Sequence, residues 1–400
     1  MLKTMSVGEF TPKYEIENRI ERFQRKMEEN NIAFSIILQN VDLFYFTGTL
    51  QKGVLVIPLD GDPMFFVEKT LGRAIQESPL EVIPIKKDKD VGNILRGKNI
   101  LKGNGGMEFD VLPVTVFERW KGILGVDNLS DISSLIKATR IIKSPFEITQ
   151  IIKSGQIVSH VFSKAGDVIK LGEREIDISA VLEAEGKKYG HQGFLRMRGL
   201  NQEMMNMYVT HGQSAIITSH GDVPISGVGI THAIAQGPSM NRIVRDIPVI
   251  IDYGGGYNGY ITDETRSFVV GELKDIFKKA YDTAREIIEY AMDYGREGIN
   301  AIEIFNGSLD RAKKAGIEAY FMGYAEGKVG FIGHGIGLEI NELPVITPRH
   351  DIILKEGMVF AFEPKFIIPG QGAIGIEVDF IVRQDRLERV TDAPIDMVYI

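Results

Sequence analysis

The stretch from Ile251 to Phe268, IDYGGGYNGYITDETRSF, sets the tightest limit on what this chain can fold into, because it admits two incompatible architectures. Gly254, Gly256 and Gly259 satisfy the pattern G-x-G-x-x-G and follow the apolar run Val249-Ile250-Ile251. A dinucleotide-binding turn needs a helix after its glycines, since the helix N-terminus receives the pyrophosphate. After Gly259 the chain reads Tyr-Ile-Thr-Asp-Glu-Thr-Arg-Ser-Phe-Val-Val, the composition of a strand. Asn258-Gly259 is also the strongest short hairpin signal. The stretch is therefore predicted to be an antiparallel hairpin in which the other glycines admit turning and bulging.

A two-residue turn at Asn258-Gly259 sets the register: Asp252 falls opposite Thr265, and Asp263 lies two residues from Thr265 on the same face. Diagonal cross-strand neighbours are about 7–8 Å apart, so the two carboxylates can share an oxygen-loving cation. They can equally be solvated turn residues. A second pair argues for the cation. In FAFEPKFIIPGQGAIGIEVDFIV, Glu363 and Glu377 stand at nearly equal distances from the Pro369-Gly370-Gln371-Gly372 turn, inside apolar runs where an unpartnered carboxylate is costly. His334, in Gly333-His334-Gly335-Ile336-Gly337, would alone read as a hydrogen-bonded core histidine. With four carboxylates carrying −4, two divalent ions carrying +4 and one imidazole, the set suits Mn, Co, Fe or Zn.

The rest of the chain supplies the frame. Ile16, Ile20, Phe23 and Met27 recur at helical spacing, followed by a strand at Ala33 to Leu38 and β-type runs at Gly53 to Pro58, Pro63 to Val67 and Glu81 to Ile85, with a short helix near Leu71 to Glu77. In Ser144-Pro145-Phe146-Glu147 an N-cap, a proline at the first helical position and a Glu at N3 complete a capping box, so a long helix starts there. That places a boundary between residues 1–143 and 144–400. Helices are predicted at Arg174 to Lys188, Leu273 to Tyr294 and Ala301 to Lys314, and antiparallel hairpins around Met204 to Thr210, Pro248 to Val270 and Met358 to Val382. The fold class is an α/β N-terminal domain followed by an α+β domain.

Composition narrows the functions. The chain has 400 residues and no cysteine, which excludes disulfides, thiolate metal sites, Fe–S clusters and a cysteine nucleophile. Forty-six basic against 54 acidic side chains, with no basic stripe, argue against a nucleic-acid partner. No 18-residue apolar run is present, and the N-terminus lacks an apolar leader segment, so neither membrane insertion nor secretion is expected and the cytoplasm is the default.

These residues, in this order, resemble the pita-bread metallopeptidase family of prolidase, aminopeptidase P, methionine aminopeptidase and the metal-free creatinase. The likeness begins at IENRIERFQRKMEENNIAFSIILQNVDLFYFTG, continues through RIIKSPFEITQIIKSGQIV and ends with the acidic motifs. The family's ligand pattern falls on Asp252, Asp263, His334, Glu363 and Glu377. The resemblance implies a pita-bread catalytic domain and two divalent ions, with Asp263 and Glu377 bridging, Asp252 completing one site, and His334 and Glu363 the other. It further implies a homodimer and places His232, upstream of the first Asp, toward substrate. Two positions depart from the pattern. Asn341 replaces a histidine in HGIGLEINELP, which makes it a substrate-facing candidate, and Gly375 replaces an arginine, which reads as the loss of a charged neighbour.

The function implied is cleavage of Xaa-Pro peptide bonds by a hydroxide bridging two metals, with Glu363 moving the proton and His232 orienting the substrate. A hydrolase or lyase acting on a non-peptide small molecule is the alternative that Asn341 and Gly375 motivate. A catalytically silent binding protein is disfavoured, because such a protein has no need for clustered carboxylates.

Overall fold

The hairpin expected at Asn258-Gly259 forms, and both turn residues adopt the positive φ angles, 51° and 88°, that such a turn requires. The computed structural model describes residues 8–400. Residues 1–7, which belong to the N-terminal stretch expected to lack an apolar leader, lie outside the described residues. The chain divides into two units between Arg140 and Ile141, with Arg198–Gln202 belonging to the first.

The first unit contains α1 (Lys13–Glu29), β1 (Phe34–Ile37), α2 (Asn40–Thr47), β2 (Gly53–Pro58), β3 (Met64–Val67), α3 (Leu71–Glu77), β4 (Val82–Pro84), α4 (Asp88–Gly97), β5 (Gly105–Met107), α5 (Val114–Leu124), β6 (Leu129–Asp131) and α6 (Ser133–Arg140). Its strands form one mixed sheet in the order β4-β3-β2-β1-β5-β6. Phe34, Ile36, Val56 and Phe66 from the sheet pack with Trp120 and Leu124 of α5. Arg198 draws its short segment into this unit by ion pairs of 2.8 Å to both Asp42 and Asp110.

The second unit opens with α7 (Pro145–Val168). The Glu147 N–H donates to Ser144 Oγ at 3.2 Å and the Ser144 N–H to Glu147 Oε2 at 3.0 Å, which is the reciprocal box expected from the sequence. Next come α8 (Glu175–Lys188), β7 (Met207–His211), β8 (Pro248–Tyr257), β9 (Tyr260–Val269), α9 (Asp275–Tyr294) and α10 (Ala301–Lys314). The remaining strands are β10 (Gly333–Gly335), β11 (Glu342–Ile346), β12 (Val359–Phe362), β13 (Lys365–Ile368), β14 (Gly372–Gly375), β15 (Val378–Val382), β16 (Leu387–Arg389) and β17 (Val398–Tyr399). They are arranged as a four-stranded sheet β17-β9-β8-β7, a five-stranded sheet β11-β10-β12-β15-β16 and the β13-β14 hairpin.

Two helical layers cover these sheets. Val158, Val161 and Leu182 of α7 and α8 pack on Val209, Ile251 and Phe268. Phe277, Ala284 and Ile288 of α9 pack with Phe360, Phe362 and Phe380. One glycine of β8 belongs to the first of these contacts: a Cβ on Gly255 would stand 2.7 Å from Val158 Cγ2 and 2.8 Å from the Ser154 carbonyl. Gly255 admits a helix against the sheet, and no helix starts after the three glycines. Among the described residues no helix is long and apolar enough to cross a membrane.

Candidate metal centre

Three hairpin segments bring the five expected ligands together. In the first, β8 and β9 pair with Asp252 opposite Thr265 and Gly254 opposite Asp263, the register the turn imposes. In the second, Lys365 pairs with Gly375 across β13 and β14, and continuing that register sets Glu363 opposite Glu377. Glu377 is stitched to the first hairpin by a bridge to Thr265. His334 stands on β10, between β11 and β12. The glycines beside it are required by close packing, since a Cβ on Gly335 would run into the Leu343 carbonyl.

His334 Nε2 lies 3.7 Å from Asp263 Oδ2 and 4.0 Å from Glu363 Oε1. Asp263, His334 and Glu377 each offer a ligand atom within 4.8 Å of the others. Ligands about 2.1 Å from a divalent ion are separated by roughly 3–4 Å. The His334–Asp263 separation of 3.7 Å falls in that range, and a small inward movement brings the trio onto one ion. Burial, with Glu377 and Asp252 adding to it, pushes the Asp263 carboxyl well above the usual carboxylate range. Burial does the same to Glu377, against the opposing pull of Lys365. A cation is the natural counterweight to this cluster.

The chain itself supplies one cation that sequence reasoning misses. Lys365 is buried, and its Nζ donates to Asp252 Oδ2 at 3.0 Å, Glu363 Oε2 at 2.9 Å and Glu377 Oε2 at 2.8 Å. Burial alone would lower the pKa of this ammonium, but Asp252, Glu363 and Glu377 outweigh it and hold the group above the ordinary lysine range. A signal is present in the sequence: Lys365 comes two residues after Glu363, which puts both on one strand face. Gly375 also acquires a different meaning. A Cβ there would stand 2.7 Å from Lys365 Cγ and 2.8 Å from Lys365 Cα. The missing side chain makes room for Lys365, and the positive charge is supplied from the facing strand rather than lost.

Neighbours fix the expected ligands. Thr265 Oγ1 donates to Glu377 Oε2 at 2.7 Å, Arg266 Nη1 donates to the Glu377 carbonyl at 2.7 Å, and the Asp263 N–H donates to Asp379 Oδ2 at 2.9 Å. The other two expected site residues stand apart. His232 is exposed at the tip of a turn closed by Thr231 and Ile234, and among the described residues no hydrogen bond or ion pair joins it to the carboxylates. Asn341 is exposed at the turn leading into β11.

A fold of this kind carrying this constellation defines a metallohydrolase, and comparison with known proteins agrees. The model described as metallopeptidase family M24 matches residues 149–384, and the creatinase/prolidase N-terminal domain matches residues 19–142. The chain belongs to metallopeptidase family M24. The Xaa-Pro dipeptidase of Pyrococcus furiosus is 29% identical over 94% of this chain and 98% of its own. The solved prolidase from that organism, 28% identical, superposes with a TM-score of 0.76, covering 93% of this chain and 99% of the other. The Xaa-Pro dipeptidase from Bacillus anthracis reaches a TM-score of 0.82 at 25% identity, with 96% and 100% coverage. The pita-bread architecture expected for the second domain is thus the observed one.

Proposed function

We propose that this protein hydrolyses Xaa-Pro peptide bonds with a divalent metal held by Asp263, His334 and Glu377. The supporting observation is the convergence of these three ligand atoms within 4.8 Å, in a chain similar over nearly its full length to an Xaa-Pro dipeptidase. A bound divalent ion supplies a Lewis acid that polarises the scissile carbonyl and acidifies water. The chain's own groups do the remaining work. Lys365 donates to Glu363 Oε2, which leaves Oε1, the oxygen facing His334, to take a proton from the attacking water. The departing proline nitrogen needs a proton, and Glu363 returns it there. His232 and Asn341, both exposed, are the side chains assigned to meet the substrate.

The test is a panel of Xaa-Pro dipeptides and longer Xaa-Pro peptides assayed with Mn, Co or Zn. Metal-dependent cleavage that His334→Ala abolishes is expected. Metal-loaded protein that leaves the whole panel intact would overturn the peptidase reading. In that event the specific feature that favours a small non-peptide substrate is Asn341, which cannot carry a proton where a histidine was expected.

A further inference from the structure

Lys365 has three N–H donors and spends all of them on the site: one each on Asp252, Glu363 and Glu377. None remains for a substrate. Its position is also selective. It engages Asp252, the ligand expected to complete one metal site, and the expected bridge Glu377, and takes one oxygen of Glu363 from the other site, while among the described residues no ion pair joins it to Asp263 or His334. Both hydrogen bonds to the Glu377 carboxylate, from Lys365 and from Thr265, fall on Oε2, and the one to Glu363 also falls on Oε2. Among the described residues no hydrogen bond engages the Oε1 atom of either, and Glu363 Oε1 faces His334. Gly375 gives the lysine its space, since any side chain there would press on its Cα and Cγ.

We propose that Lys365 is a built-in replacement for one of the two metal ions, so that this chain binds a single divalent ion, held by Asp263, His334 and Glu377 with Glu363 beside them. A second ion at the Asp252 side does not fit while Lys365 is there, because ammonium and dication would compete for the same carboxylate oxygens at contact distance. The inference rests on the metal-binding part of the proposed function and is independent of which substrate is cleaved.

The experiment loads the full-length protein with saturating Mn(II), removes weakly held ions by gel filtration, and measures ions per chain by elemental analysis and the Mn(II) electron paramagnetic resonance spectrum. Wild type is expected to hold one ion per chain with the spectrum of an isolated Mn(II). Lys365→Ser, which deletes the ammonium and opens the space it filled, is expected to hold two, with the signal of a spin-coupled pair. His334→Ala in the otherwise native chain should lose the single ion, which tests the assignment even if Lys365→Ser fails to fold. Two coupled ions in wild type would overturn the proposal, as would no bound ion in wild type. A folded Lys365→Ser that still holds only one ion would overturn it too. Outcomes for the two readings separate cleanly: one ion without peptide cleavage removes the peptidase and keeps Lys365 as a cation substitute, and two ions with cleavage do the reverse.

Discussion

Thr265 and Glu377 are joined three times: each backbone N–H donates to the other's carbonyl, at 3.3 and 3.1 Å, and the Thr265 hydroxyl donates to the Glu377 carboxylate at 2.7 Å. This triple link fixes the ligand-bearing end of the C-terminal hairpin to β9, where Asp263 sits two residues away. Thr265→Val keeps the shape and the backbone bonds but removes the hydroxyl donor. Loss of such a neighbour typically weakens metal binding by roughly 10- to 100-fold. Calorimetric titration with Mn(II) is expected to show a drop of that size with no change in stoichiometry, and an unaltered affinity would show that the hydroxyl does not orient Glu377.

Asp252 and Glu377 should respond differently to loss of charge. Asp252 touches Lys365, whereas Glu377 also belongs to the trio that fits an ion. Asp252→Asn is therefore expected to retain the bound ion, and Glu377→Gln to lose it. Elemental analysis of the two variants side by side checks this, and loss of the ion from Asp252→Asn would return Asp252 to the ligand set.

Lys365→Met leaves three carboxylates facing one another without their counter-charge. Breaking a buried ion pair from one side costs about 3–5 kcal/mol. Denaturant unfolding of the metal-free variant should show a loss of that order, and added Mn(II) should recover more stability in the variant than in wild type. Equal stability of the two metal-free proteins would contradict the geometry.

His232→Ala addresses the exposed turn. If that side chain meets the substrate, KM should rise several-fold with kcat and metal content nearly unchanged. No change in either constant would remove His232 from the site.

The catalytic unit should also be acid-labile through His211, at the end of β7. Its Nδ1 contacts the Pro248 carbonyl at 3.1 Å, and its Nε2 accepts the Val244 N–H at 3.0 Å, an arrangement that needs the neutral ring. Burial pushes its pKa down from 6.5 to about 4. The depressed value means that the unfolded chain takes up the proton first as pH falls. The stability that His211 contributes is complete above pH 6.5 and is lost toward pH 4, amounting to about 3 kcal/mol. His211→Gln, whose amide can supply a donor and an acceptor, is expected to flatten the pH dependence of unfolding across that window.

Local chemistry makes the catalytic unit readable. Asn258-Gly259 dictates a turn and through it the register that sets Asp252 and Asp263 on one face, and Ser144 with Glu147 announces α7. Helices α2, α4, α5 and α6 of the first unit are not legible in the sequence. They are short, and α4 and α5 contain mid-helix glycines, Gly92 and Gly122, so packing rather than propensity stabilises them. Gly92 shows this directly, because a Cβ there would press on Ile123 of α5. Lys365 is inconspicuous because a lysine in a strand ordinarily signals an exposed face. Gly375 reads as an absence because its meaning lies in the strand opposite. Both residues become intelligible only as a pair.

An ammonium anchored by its own backbone cannot dissociate. Chelators, dilution and metal starvation strip ions from proteins, but Lys365 is synthesised with every copy of the chain and stays at a fixed stoichiometry. Asp252, Glu363 and Glu377 accordingly keep a counter-charge in the metal-free chain, and that part of the centre is insulated from the supply of metal in its surroundings.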